Sequence, residues 1–184
     1  IAKSLLLIRD CQFLSIKGIV DPRHAPGKSG PVLLDGGQHA QTAILIEQSG
    51  SVHLDYLSLT GFSGDGIVVR GCGPDNYQRP VTLTRSVVRD CRGNGVTARN
   101  TAAFITLDSI FKGIGKAGLV VDAPSSIVAN TLCRFCATGI SVFSSSPVIT
   151  RNQVLDNGIG IELGASSEYS LVYENRIHKN NTGI

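Results

Sequence analysis

A step of glycine followed by an aliphatic residue returns along this chain at nearly fixed intervals, and it constrains the fold more than any other feature. It reads Gly66-Ile67, Gly95-Val96, Gly118-Leu119, Gly139-Ile140, Gly160-Ile161 and Gly183-Ile184, with Ala43-Ile44 as the first copy, at spacings of 23, 29, 23, 21, 21 and 23 residues. Asparagine keeps the same rhythm: Asn130, Asn152 and Asn175 lie 22 and 23 residues apart. A period in the twenties marks a solenoid, in which each repeat buries its apolar face against the next.

Each period holds three short runs of in-out alternation and no apolar stripe of helical spacing. A leucine-rich repeat has a similar period but needs a regular leucine and asparagine consensus that is missing here. The pattern predicts an all-β chain: a single-stranded parallel β-helix of about seven coils spanning 1–184. Twenty-one glycines with no tryptophan or methionine suit many tight bends around a narrow aliphatic core.

The pattern N-x-[hydrophobic]-x-x-N-x-x-G-I-x-[hydrophobic], iterated from about Val52 to the end, resembles the right-handed parallel β-helix family of pectate-lyase-like proteins. In that family a coil has strands PB1, PB2 and PB3, with a tight asparagine-bearing turn between PB2 and PB3. By this likeness the solenoid is right-handed, Val148 to Thr150 is PB2, Asn152 the turn, Gln153 to Leu155 PB3 and Gly160 to Leu163 PB1. An amide inside a bend can bond backbone groups that the bend removes from the sheet. Asn130, Asn152 and Asn175 are therefore expected to stack as one ladder. Leu5 to Ile16 resembles a PB2-turn-PB3 pair, with Ile8, Cys11 and Phe13 in the places of Ile149, Asn152 and Val154, and Ala43 to Glu47 is the first clear PB1.

Two stretches dense in proline and glycine, 18–31 and 71–80, break the register and read as loop insertions. Excursions from a scaffold commonly carry specificity. The chain opens inside what looks like a coil and stops one residue into a PB1 strand. We therefore expect a fragment of a longer β-helix, its C-terminal end covered by further coils, a cap or a second subunit.

Lys and Arg are scattered and the net charge is only +3, which argues against a dedicated nucleic-acid surface. No run approaches the ~18 to 20 apolar residues of a membrane span. Five cysteines at irregular spacing are not a disulfide framework. Cys133 and Cys136 form a lone C-x-x-C, better read as thiols filling a coil than as a zinc site.

Strand alternation places Glu47, Arg70, Arg99, Asp122 and Phe143 in one outward column of PB1, with Leu45, Val68, Thr97, Val120, Ser141 and Glu162 in the other. Arg70 and Arg99 then stand ~5 Å apart on successive strands. Two guanidinium groups so placed repel unless an anion lies between them. One reading is a ladder of salt bridges with Glu47 and Asp122; the other is a clamp for a carboxylate, whose geometry the arginine fork matches.

The family resemblance implies uronate chemistry, in which a cation or Ca²⁺ neutralises the C6 carboxylate and so acidifies the C5 proton for a basic Arg, Lys, His or Tyr. On that basis Arg70, Arg99, Tyr77, His39 and Lys116 are candidate catalytic residues. Glu47, Asp65, Arg79, Arg92, Asn94 and Asp122 are candidate substrate-binding residues. The expected partner is an acidic polysaccharide, which implies an extracellular or periplasmic protein. No run of Asp ligands marks a Ca²⁺ site, so no metal ligand is named. The N-T-D, D-D, G-H-G and R-I-K series of polygalacturonase-like hydrolases is missing, and Asp21-Pro22-Arg23-His24 matches the D-P-H-E motif of alginate epimerases only faintly. A non-catalytic carbohydrate-binding, adhesive or structural module is the alternative.

Overall fold

A computed structural model describes residues 4–18, 31–72, 80–144 and 146–184. Most of both insertions, and with them His24, Tyr77 and Arg79, lies outside the described residues.

The described residues form 21 strands and no helix. They sort into three parallel sheets of seven strands each. The PB1 sheet stacks β1 (Ser4–Arg9), β4 (Thr42–Glu47), β7 (Ile67–Cys72), β10 (Val96–Thr101), β13 (Ala117–Asp122), β16 (Thr138–Val142) and β19 (Ile159–Leu163). The PB2 sheet stacks β2 (Ser15–Lys17), β5 (His53–Asp55), β8 (Val81–Thr84), β11 (Phe104–Leu107), β14 (Ile127–Ala129), β17 (Val148–Thr150) and β20 (Leu171–Tyr173). The PB3 sheet stacks β3 (Val32–Asp35), β6 (Leu57–Thr60), β9 (Val87–Arg89), β12 (Ile110–Lys112), β15 (Leu132–Arg134), β18 (Gln153–Leu155) and β21 (Arg176–His178). Three strands in sequence make one coil, and like strands of successive coils pair in register, giving about seven coils as the repeat predicts.

The first coil corrects the expected assignment. β1 pairs with β4, Ile8 opposite Ile46 and Arg9 opposite Glu47, so Leu5 to Ile16 runs through PB1 into PB2 and is not a PB2-turn-PB3 pair. Phe13, assigned an inward place, is 73% exposed. The insertions also leave at different corners. Segment 19–30 lies between β2 and β3, at the PB2–PB3 corner of the first coil, whereas 73–79 lies between β7 and β8, at the PB1–PB2 corner of the third.

The core is a set of one-residue columns, each inward side chain resting on its register partner in the next coil. PB1 contributes Ile46, Val69, Ala98, Val121 and Val142; PB3 contributes Leu59, Val88, Phe111, Cys133 and Val154, all buried. Leu163 has the inward register but is 41% exposed, because β19 is the terminal strand of its sheet. The recurring glycine has a steric cause. A Cβ on Gly66, Gly95, Gly118, Gly139 or Gly160 would lie 2.4 to 2.7 Å from the carbonyl oxygen of the corresponding glycine in the next coil.

Corners turn through a residue at positive φ, and the next residue points inward. At the PB2–PB3 corner the turning residues include Arg85, Asp108, Asn130, Arg151 and Glu174. The inward positions are Ser86, Ser109, Thr131, Asn152 and Asn175. Ser109 Oγ accepts from Ser86 N, Asn152 Oδ1 from Thr131 N, and Asn175 Oδ1 from Asn152 N. Asn130 is thus no member of the ladder. It is the exposed turning residue, and Thr131 takes the inward place.

A second amide ladder stands at the PB3–PB1 corner, where Asn157 Oδ1 accepts from Cys136 N and Asn180 Oδ1 from Asn157 N. Cysteines hold the same kind of position in earlier coils. Cys11, Cys72, Cys91 and Cys136 each donate to the carbonyl two residues back, as Ser49, Ser86 and Ser109 do with their hydroxyls.

Candidate functional site

The outer face of PB1 presents one charged column in register: Arg9, Glu47, Arg70, Arg99 and Asp122. Alternation drives Ile46, Val69, Ala98 and Val121 inward and turns their neighbours outward, the three arginines exposed and Glu47 and Asp122 partly covered. Glu47 is the hinge of the column. Its Oε2 accepts from Arg9 Nε at 3.0 Å and its Oε1 from Arg70 Nε at 2.7 Å. These guanidinium groups, Arg9 first and then Arg70, hold the Glu47 carboxyl below the usual carboxylate range.

Arg70 therefore leans toward the N-terminal coils, away from Arg99. Arg99 is exposed and makes no ion pair among the described residues, although Arg70 and Asp122 are its register partners. One arginine of the expected pair is thus neutralised and the other available. A salt-bridge ladder and a vacant cation coexist in the column.

The remaining candidates lie on the opposite rim, where PB3 turns into PB1. Asp65 Oδ1 accepts from Asn94 N at 2.8 Å and its Oδ2 from Thr97 Oγ1 at 2.6 Å, while Asn94 Oδ1 accepts from Ala117 N at 3.1 Å. Asp65 and Asn94 thereby stitch three coils together. Arg92 and Lys116 are exposed on the same rim, Lys116 N donating to Gly93 O in the coil before. His39 is exposed at this corner of the first coil, its N bonded to Gly36 O. Five residues separate Asn94 from Arg99, about 16 Å of strand. The site residues therefore form two rims of one face. Arg70 and Arg99 share one, while His39, Arg92 and Lys116 belong to the other.

Among the described residues no three His, Cys, Asp or Glu side chains converge as a metal site requires. All five cysteines are free thiols. Burial pushes the Cys91 and Cys136 thiols up to about 11 and Cys133 well above its ordinary value. Among the described residues no helix is long and apolar enough to cross a membrane.

Two charged groupings escaped the sequence reading. On PB2, Asp55 is buried at 2% exposure; its Oδ1 accepts from Arg85 Nε and from Thr84 Oγ1, both at 2.9 Å, and Lys17 Nζ lies 3.8 Å from Oδ2. The Arg85 hydrogen bonds hold the Asp55 carboxyl below its ordinary value. On PB3, Arg89, Lys112 and Arg134 are register partners on three successive strands. Their spacings of 23 and 22 residues match the glycine period, so numbering every cation by its place in the repeat would have revealed them.

No curated protein matches this chain. Residues 42–184 match the family described as the right-handed beta helix region. With three in-register parallel sheets, inward aliphatic columns and polar corner ladders continuing through that span, the chain belongs to the right-handed β-helix family.

Proposed function

We propose that the PB1 face binds an acidic polysaccharide, laid along the solenoid axis across successive coils. The observation that carries this reading is Arg99, an exposed guanidinium without an ion pair among the described residues, in register beside Arg70. An arginine fork takes a carboxylate in two parallel hydrogen bonds. The coil spacing approximates one sugar unit of an extended chain, so a unit held by Arg99 places its neighbour over Arg70, whose guanidinium is already shared with Glu47. Arg92 and Lys116 on the far rim give the face a second line of positive charge. Such polymers are met outside the cytoplasm, so an extracellular or periplasmic setting goes with the proposal.

Lyase or epimerase chemistry is the finer part of the proposal. It would need a base within hydrogen-bond reach of the C5 proton while a cation holds the C6 carboxylate. His39 and Lys116 stand across the sheet from the arginines, about 16 Å from a carboxylate held by Arg99, so neither reaches the C5 proton of that sugar and this chemistry would need a base closer to Arg99. Binding is the better supported half, and a non-catalytic module fits the same geometry.

Titration of oligogalacturonate, oligoalginate and a glycosaminoglycan, with absorbance followed for unsaturated product, tests both halves. The double variant Arg70→Ala/Arg99→Ala should weaken binding about tenfold or more while the melting temperature stays nearly constant, since exposed charges contribute little to stability. Equal binding by parent and variant would remove the PB1 face from consideration. Binding without product would leave a non-catalytic module.

A further inference from the structure

The outer face of PB3 carries a denser basic column than PB1. Arg89, Lys112 and Arg134 stand in register on β9, β12 and β15, ~5 Å apart from strand to strand. The alternate residues Val88, Phe111 and Cys133 are buried, which fixes all three cations outward. The corner beside them adds Phe135, 48% exposed. The Arg134 guanidinium lies 4.3 Å from the centroid of its ring and Lys112 Nζ 6.0 Å.

The charges within the column are unequal. Arg89 Nη1 donates to Asp90 Oδ2 at 3.1 Å and Arg134 Nε to Asp156 Oδ2 at 2.8 Å. Both carboxylates sit in the corner, at the residue following PB3, so they draw the two arginines to one edge. Lys112 has no carboxylate partner among the described residues; the corner residue after it is Gly113. A Cβ at Gly113 would lie 2.8 Å from Asp90 Oδ1. The centre of the column is thus a free ammonium group between two oriented guanidinium groups, with an aromatic ring on its flank.

From this arrangement we infer a second ligand site, on PB3: a surface that binds an anionic glycan chain through Arg89, Lys112 and Arg134, with one sugar face resting on Phe135. Charge complementarity selects an anion. The one-coil pitch suits a polymer whose sulfate or carboxylate groups recur with the sugar repeat. An exposed ring beside cations suits a sugar, whose C–H face packs on an aromatic while its charged substituents reach the cations. PB1 and PB3 are separate faces of the coil, so this site is independent of the PB1 site and could give the protein two points of attachment to one polymer network.

The test uses the whole chain and two probes, a heparin-derived hexasaccharide for sulfate and a hexagalacturonate for carboxylate, titrated at about 0.15 M salt. Lys112→Ala and Phe135→Ala are each expected to weaken binding of at least one probe about two- to fivefold, and Arg89→Ala/Lys112→Ala/Arg134→Ala about tenfold or more. Both sets of substitutions are made in the Arg70→Ala/Arg99→Ala background, so that the affinity they change is the affinity left once the PB1 cations are gone. Far-ultraviolet circular dichroism confirms that each variant is folded. A Phe135→Ala variant that binds both probes as that background does would overturn the inference, as would tighter binding of an oligothymidylate than of either glycan, or no binding of either probe. Loss of affinity only in the PB1 variant would overturn this site while sustaining the PB1 reading.

Discussion

The carbonyl oxygen of Gly118 stands 2.4 Å from where a Cβ on Gly95 would be, and Cδ1 of Phe111 stands 2.8 Å from the same point. Neither the backbone of the next coil nor a fully buried ring can withdraw at small cost. Gly95→Ala should therefore lower the unfolding free energy by about 1 to 3 kcal/mol, the usual range for overpacking a tight core. Urea denaturation followed by circular dichroism measures it. An unchanged midpoint would mean that the coil spacing can expand and that the repeated glycine has another cause.

That contact also explains why the fold was legible. A glycine imposed by the backbone of the next coil recurs once per coil whatever the other residues do, and period-two alternation then assigns both faces of PB1. The first coil was misread because Leu5, between the partners of Thr42 and Ile44, occupies the place of Ala43 and carries no glycine marker. The candidate site was legible in position but not in state. Alternation puts Arg70 beside Arg99, yet only the structure shows that Arg9 and Arg70 share Glu47. The PB3 column was missed because the glycine marker fixes the register of PB1 alone: Arg89 and Lys112, closer in sequence than Arg70 and Arg99, lie on strands that carry no such marker.

Thr106 is the polar exception in an apolar column. It lies inward on β11 between Leu83 and Val128, fully buried, and its Oγ1 has no hydrogen-bond partner among the described residues. A buried hydroxyl without a partner costs about 1 to 3 kcal/mol. Thr106→Val keeps the branched shape and removes that group, so the thermal midpoint should rise. A fall would mean that the hydroxyl is bonded in solution.

The thiols give a test in alkali. An unfolded thiol ionises near its ordinary value of 9.0, whereas burial lifts Cys91 and Cys136 to about 11 and Cys133 higher still. Between those limits the folded chain holds protons that the unfolded chain releases, so stability is full below about pH 9 and falls as pH rises toward 11. Denaturant midpoints at several pH values measure the slope, and Cys91→Ser/Cys136→Ser should flatten it. In the native state at pH 8 a thiol reagent should label the half-buried Cys11 first and the four buried cysteines only on unfolding. Rapid labelling of all five would contradict the packing.

Asn152 and Asn130 differ by one place in the corner, and the difference is measurable. Asn152 is 1% exposed and makes three side-chain bonds: Oδ1 accepts from Thr131 N, while Nδ2 donates to Val128 O and to Asn175 Oδ1. Asn152→Ala leaves a buried N–H and a buried carbonyl unpaired and should cost about 2 to 4 kcal/mol. Asn130 has φ near 52°, is exposed, and its side-chain amide bonds no described residue, while its backbone N donates to Thr150 O at 3.3 Å. What that position asks for is tolerance of the left-handed region, which glycine supplies at least as well. Asn130→Gly should therefore change stability by less than about 0.5 kcal/mol, while Asn130→Ala costs about 1 to 2 kcal/mol through backbone strain alone. If Asn130→Gly proved as damaging as Asn152→Ala, the inward ladder would have to run through Asn130 instead of Thr131, and the register of the PB2–PB3 corner would be wrong.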